Sequence, residues 1–130
     1  MSEKSLGLIE LSSVAAGFEA ADAMLKAGNV HLLLSRSICS GKYMVLIGGP
    51  TAAVESAVKA GAEIARSCLI DKFFIPNVHQ DVITAIGRTQ LPEQIDGALG
   101  ILESFNVATL LLAADAAAKA AIKTDAKPQK

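Results

Sequence analysis

The residues of this sequence that could carry chemistry are few and scattered. The densest set is Ser37-Ile38-Cys39-Ser40-Gly41-Lys42, which crosses a turn between two apolar runs and gathers a thiol, hydroxyls and backbone amides. One thiol cannot hold a metal cluster, but three or six copies meeting on a rotation axis would supply the soft thiolates that suit iron–sulfur or zinc chemistry. A structural turn cysteine without a ligand is the simpler reading of Cys39. Cys68, at the start of an apolar run, reads as a small buried side chain. Thiols in a chain without export signals normally stay reduced, so no disulfide is expected between them. His31 and His79 have no second histidine or carboxylate at a ligand spacing and read as surface or turn residues. Gly48-Gly49-Pro50-Thr51 lies between a strand and a helix, where backbone N–H groups could hold an anion, yet it lacks both the Walker lysine pattern and GxGxxG. A plain strand-to-helix turn is preferred there. Lys26 and Asn29 close a helix, as a cation and an asparagine often do, and a role in assembly is an equal alternative. Neither paired carboxylates nor a Ser/His/Asp set can be assembled from so few groups, so the chain is not expected to be an enzyme.

These residues must be positioned by short elements. Leu6 to Leu11 suits a strand, and Val14 to Ala27 places apolar residues at helical spacing behind Ser12 and Ser13 as caps. Val30 to Ser35 and Lys42 to Ile47 read as two strands of a hairpin turning at Ser40 and Gly41. Pro50, taken as the first helical residue, opens a helix from about Thr51 to Arg66. Leu69 to Ile75 supplies a fourth strand, Val78 to Ile86 a short helix, and Ala98 to Glu103 a further strand before an alanine-rich helix. The order β-α-β-β-α-β defines an α+β, ferredoxin-like split βαβ unit with helices on one sheet face.

The chain has 130 residues, 52% hydrophobic, 19% charged and 4% aromatic, and its 12 basic and 13 acidic side chains leave a formal charge of −1. Such a length can bury roughly two-thirds of its surface and fold without disulfides or a structural metal. A charged fraction below the usual ~25%, with the excess in small aliphatic residues, points to surface covered by other subunits. The pI of about 6.1 gives no electrostatic footprint for nucleic acid. The longest uncharged stretch, Tyr43 to Val54, is well short of the roughly 20 apolar residues that span a bilayer, so no membrane partner is expected. The first ten residues lack the pattern of a secretory signal, and a cytoplasmic location is the default expectation.

An internal repeat constrains the architecture further. Leu6 to Ala27 aligns without gaps on Leu99 to Ala120 at an offset of 93, with 11 of 22 positions identical. The matches include Gly7 with Gly100, Glu10 with Glu103, Asp22 with Asp115 and Lys26 with Lys119. The expected organisation is a complete domain over 1–88, a linker over 89–97, a partial second repeat of strand and helix over 98–123, and a disordered tail over 124–130. The strand from Ala98 to Glu103 must pair with something, and a partner chain is the obvious source.

Leu6-Gly7-Leu8-Ile9-Glu10, Ala20-Ala21-Asp22-Ala23-Met24-Leu25-Lys26, Asn29-Val30, Ile38-Cys39-Ser40-Gly41 and the Gly48-Gly49 turn occur in an order that resembles bacterial microcompartment (BMC-domain) shell proteins. The likeness spans about Leu6 to Ile86 and restarts at Leu99. The two units suggest the tandem-domain, trimer-forming branch, particularly that of propanediol-utilisation-type compartments, with the second domain incomplete. The resemblance implies a structural role: cyclic homo-oligomers, trimers or hexamers, that tile with other shell proteins around enzymes in the cytoplasm and pass small polar metabolites through a central pore. It places Ser37, Ile38, Cys39, Ser40 and Gly41 on the pore, Ser40 in the position of the usual serine and Cys39 in that of a glycine. Lys26, with Asn29, matches the edge through which neighbouring discs pack. Asn77 stands beside Pro76 where single-domain members have an arginine, and partly replaces it. Some tandem members bind an iron–sulfur cluster at the pore through a cysteine in the second unit's first helix, but Val107 to Leu112 contains none. No cofactor is therefore expected, with Cys39 the candidate metal ligand if a cluster sits on the axis.

Two other functions fit the same residues. One is a ferredoxin-like regulatory domain that binds a small metabolite at a subunit interface through Gly48 to Thr51. The other is a metal- or iron–sulfur-bearing redox shell component built on Cys39.

Overall fold

A computed structural model describes residues 5–88 and 97–125. The chain divides into two compact units, Met1–Val78 and His79–Lys130.

The first unit is a four-stranded antiparallel sheet carrying two helices. Its elements are β1 (Ser5–Leu11), α1 (Val14–Ala27), β2 (His31–Cys39), β3 (Lys42–Gly49), α2 (Thr51–Ala65), a 3-10 turn at Arg66–Cys68, and β4 (Leu69–Pro76). The sheet order β2-β3-β1-β4 puts β1 at the centre, antiparallel to both neighbours, with Gly7 opposite Ile47 on one side and Phe74 on the other. This is the split βαβ topology expected from the element order.

β1 forms because it is an apolar run that can be buried on both sides, and all seven of its residues are buried. Alternation sends Ile9 and Leu11, with Tyr43, Val45 and Ile47, toward Ala20, Ala21 and Met24 of α1 and Val54, Ala57 and Val58 of α2. Leu6, Leu8 and Glu10 project to the other face with Met44, Leu46, Phe73 and Ile75, and these are buried too. Two glycines set the spacing between layers. A Cβ on Gly7 would lie 2.4 Å from Val58 Cγ2, and one on Gly17 would lie 2.3 Å from the Tyr43 ring. Each glycine therefore admits its neighbour rather than loosening the backbone.

α1 begins and ends where its sequence predicts. Ser13 is the N-cap, its side chain accepting from Ala16 N at 3.2 Å. α2 differs slightly from expectation: Pro50 is the N-cap, with ψ 141°, and the α-helix stops at Ala65 because Arg66 takes φ 48° before the 3-10 turn. β2 runs four residues past the expected Ser35, since the partner strand β3 offers hydrogen bonds as far as Lys42 opposite Cys39.

In the second unit α3 (Gln80–Arg88) packs on α4 (Val107–Asp125). His79 Nδ1 accepts from Asp81 N at 3.1 Å and caps α3. Asp115 Oδ1 accepts from His79 N at 2.8 Å, and its Oδ2 accepts from Lys119 Nζ at 2.6 Å. Asn106 Oδ1 accepts from Thr109 N at 2.8 Å, capping α4.

The extra helix expected at the C-terminal side is present, but the strand expected at Ala98 to Glu103 is not formed. A strand exists only against another, and among the described residues none lies beside it. Thr124 and Asp125, expected in the tail, close α4. The rest of the expected tail, and the expected linker from 89 to 96, lie outside the described residues.

Candidate functional site

Pairing of β2 with β3 builds a tight hairpin at one end of the sheet. Cys39 lies opposite Lys42, leaving Ser40 and Gly41 as the two turn residues. Only the second of these has a positive φ, 74°, the position at which a type II turn requires glycine. Ser37, Ile38 and Cys39 are thus strand residues and only Ser40 and Gly41 form the turn. The register shifts between Ser37 and Cys39, a bulge at Ile38 that twists the tip. Ser37, Cys39, Ser40 and Gly41 are exposed and Ile38 is half-buried. The tip offers hydroxyls, a free thiol and backbone groups to whatever faces it.

The base of the hairpin is braced by groups that the sequence alone did not single out. Ser35 Oγ and Tyr43 Oη share a hydrogen bond of 2.7 Å, and the Tyr43 ring sits 5.6 Å from that of Phe18. Glu10, whose side chain is 1% exposed, has Lys42 Nζ at 3.8 Å. A carboxylate inside the apolar run of β1, followed by a lysine at the turn, was the signal available for this pair.

The second expected cluster lies at the far end. Lys26 pairs with Asp22 at 2.6 Å on the exposed end of α1, and Asn29 follows it into the loop. Asn77 comes after Pro76, the residue opposite Ser5, which in turn faces Gly49. A Cβ on Gly49 would lie 3.3 Å from Asn29 O, so Asn29 and Asn77 share one end of the sheet. Asn77 adopts φ 52°, a left-handed conformation that asparagine tolerates better than most residues. The seven residue steps of β3 between Lys42 and Gly49 put roughly 23 Å between this end and the hairpin tip.

The remaining candidates are accounted for locally. Gly48 and Gly49 belong to β3, paired with Leu6 and Ser5, and Thr51 Oγ1 shares a 2.8 Å hydrogen bond with Ser5 Oγ, so the turn is not an open nest of amides. His31 opens β2 at the surface and His79 caps α3. Cys68 is half-buried in the 3-10 turn. Among the described residues no three His, Cys, Asp or Glu side chains are grouped to hold a metal ion, and no helix is long and apolar enough to cross a membrane.

The first unit is thus a ferredoxin-like sheet with an exposed polar hairpin at one end and a lysine-bearing helix end at the other. Residues 5–78 match the model of the BMC domain. The chain is 42% identical over 117 residues to the bacterial microcompartment shell protein PduT of Citrobacter freundii, covering 90% of this chain and 63% of that protein. It is 36% identical over 95 residues to the carboxysome shell protein CsoS1 of Prochlorococcus marinus, covering 71% of this chain and 92% of that one. A crystal structure of a microcompartment protein from Desulfitobacterium hafniense DCB superposes with a TM-score of 0.79 at 51% identity, over 91% of this chain and 65% of that one. The chain belongs to the BMC-domain family. It spans under two thirds of the length of PduT.

Proposed function

We propose that this chain is a non-catalytic structural component of a bacterial microcompartment shell, lying within the cytoplasm. The observation that carries the reading is the BMC domain over residues 5–78, a domain shared with relatives named as shell proteins. Geometry supports the finer assignment. Three or six copies around an axis would bring the Ser37 to Gly41 hairpins together as a ring of hydroxyls and backbone groups, a polar gate for small metabolites. Lys26, Asn29 and Asn77, at the other end of the same sheet, would then face outward toward neighbouring discs of the same or other shell proteins. The first unit exposes Val14, Phe18, Leu25, Leu32, Ile64 and Ile70, apolar surface that association would cover.

Light scattering and electron microscopy test this reading directly. Rings or sheets are expected, with Lys26→Ala dispersing sheets into discs while leaving the discs intact. A monodisperse monomer at micromolar concentration would overturn it. The shell is read as carrying no cofactor, so anaerobic reconstitution with iron and sulfide should leave the protein colourless. A visible absorbance band lost on Cys39→Ser would instead establish the redox variant of the same shell role.

A further inference from the structure

The two helices that share a sequence bury different sides. α1 and α4 hold matching places in Leu6–Ala27 and Leu99–Ala120, aligned at an offset of 93. α1 turns Gly17, Ala20, Ala21 and Met24 into the first unit. It leaves Ala15, Phe18, Asp22 and Leu25 exposed, a set spaced by three, four and three residues and therefore on one side of the helix. Phe18 is 65% exposed and Leu25 43%. The counterparts in α4 are Ala108, Leu111, Asp115 and Ala118, and there the burial is reversed. Ala108 is 0% and Asp115 6% exposed, while Leu111 and Ala118 are half-buried.

The start of α3 reaches this side of α4. His79 N, one residue ahead of the first residue of α3, donates to Asp115 Oδ1 at 2.8 Å. A carboxylate is favoured there both by that bond and by the positive end of the helix dipole. Asp22 is prepared for the same contact. Lys26 takes its Oδ2, as Lys119 takes Asp115 Oδ2, which leaves Oδ1 of either carboxylate to face a backbone donor. The Asp22 side chain is 62% exposed.

We propose that the Ala15–Phe18–Asp22–Leu25 side of α1 is a docking surface for a helix of the α3 kind, entering by its N-terminus and carried by a neighbouring subunit of the same domain family; the shell reading supplies only the source of that subunit. Such a helix sets an N–H of its first turn on Asp22 Oδ1. It lays an apolar strip over Phe18 and Leu25, as Val82, Ile83 and Ile86 form along α3. α1 is the more apolar seat of the two, with Phe18 in place of Leu111 and Leu25 in place of Ala118, so it has more surface to gain by being covered. This chain's own α3 rests on α4, and the helix that covers α1 is a neighbour's.

The test places a benzophenone side chain at position 18 of the full chain, where it replaces an exposed aromatic ring. This acceptor is irradiated with a second full-length copy whose α3 is released by Asp115→Ala and Leu111→Asp. Crosslinks mapped by mass spectrometry are expected to join position 18 to residues 79–88 of the second copy. Asp22→Ala with Leu25→Asp in the acceptor should lower their yield at least about tenfold, since the docked helix loses both its acceptor and an apolar contact. A synthetic peptide spanning residues 77–88 serves as another source of the helix and removes dependence on how the released copy folds. Crosslinks that map elsewhere, a yield unmoved by the acceptor changes, or no crosslink from either source overturns the proposal. Rings seen by electron microscopy without these crosslinks leave the shell assignment standing and remove the docking surface. A monomeric chain that still gives them does the reverse.

Discussion

Leu6–Ala27 and Leu99–Ala120 are half identical in sequence, and one is a central strand with its helix while the other is an open segment with its helix. The shared part of the outcome is what local sequence controls. A side-chain oxygen caps either helix, and an i,i+4 ion pair forms in either, because both need only residues within one or two turns. The part that differs is what distant residues control. A strand at positions 6–11 finds β3 and β4, and the equivalent residues at 99–104 find no strand among those described. Helices in this chain are written locally, and strands are agreements between distant stretches.

The sharpest way to break this comparison is to fill the two matched glycines. Gly7→Val forces a side chain into Val58 in the interior and is expected to cost about 3 kcal/mol or more, whereas Gly100→Val should change stability by no more than about 0.5 kcal/mol. Urea unfolding of the two variants reads the difference. Equal losses would mean that the second strand is already packed in the chain alone.

Truncating matched apolar residues gives the next largest contrast. Leu8→Ala empties a fully buried site and should cost about 2–5 kcal/mol, while Ile101→Ala, at an 84% exposed residue, should cost almost nothing. The order reverses for the matched carboxylates. Asp115 is buried and accepts from both His79 N and Lys119 Nζ, so Asp115→Ala should cost about 1–3 kcal/mol, seen as faster amide exchange at the start of α3. Asp22, 62% exposed on its side chain, should lose well under about 1 kcal/mol on the same change. The caps are where the two units should agree. Ser13→Ala and Asn106→Ala are each expected to cost about 1 kcal/mol, read as fraying of the first turn of α1 and α4 by amide exchange. A clear inequality there would show that packing beyond the helix sets cap strength.

The same division explains what could be read in the residues. The bounds of α1 were legible because the serine cap, the apolar spacing and Gly28 all act within the helix itself. The hairpin turn was legible from Ser40-Gly41, but not the reach of β2 to Cys39, since Ser35-Arg36-Ser37 is polar and is held extended only by β3. Gly48 and Gly49 looked like a free turn for the same reason: their pairing with β1 depends on residues more than forty positions away. That both expected contact regions lie on one sheet, at opposite ends, follows from register and could not be counted from sequence. The Glu10–Lys42 pair had its two members visible, a carboxylate in an apolar run and a lysine at the turn, but only the pairing of β1 with β3 brings them together.

Gly41 sits at the hairpin apex with nothing among the described residues within 4 Å of its Cβ position, and β3 carries the rest of its length away from that apex into a tightly packed interior. Loop tips of this kind accept insertion and replacement. Under the assignment made above, permeability can be re-engineered by giving Ser40 a longer, bulkier or charged side chain while Gly41 keeps its positive φ, without disturbing how the discs tile.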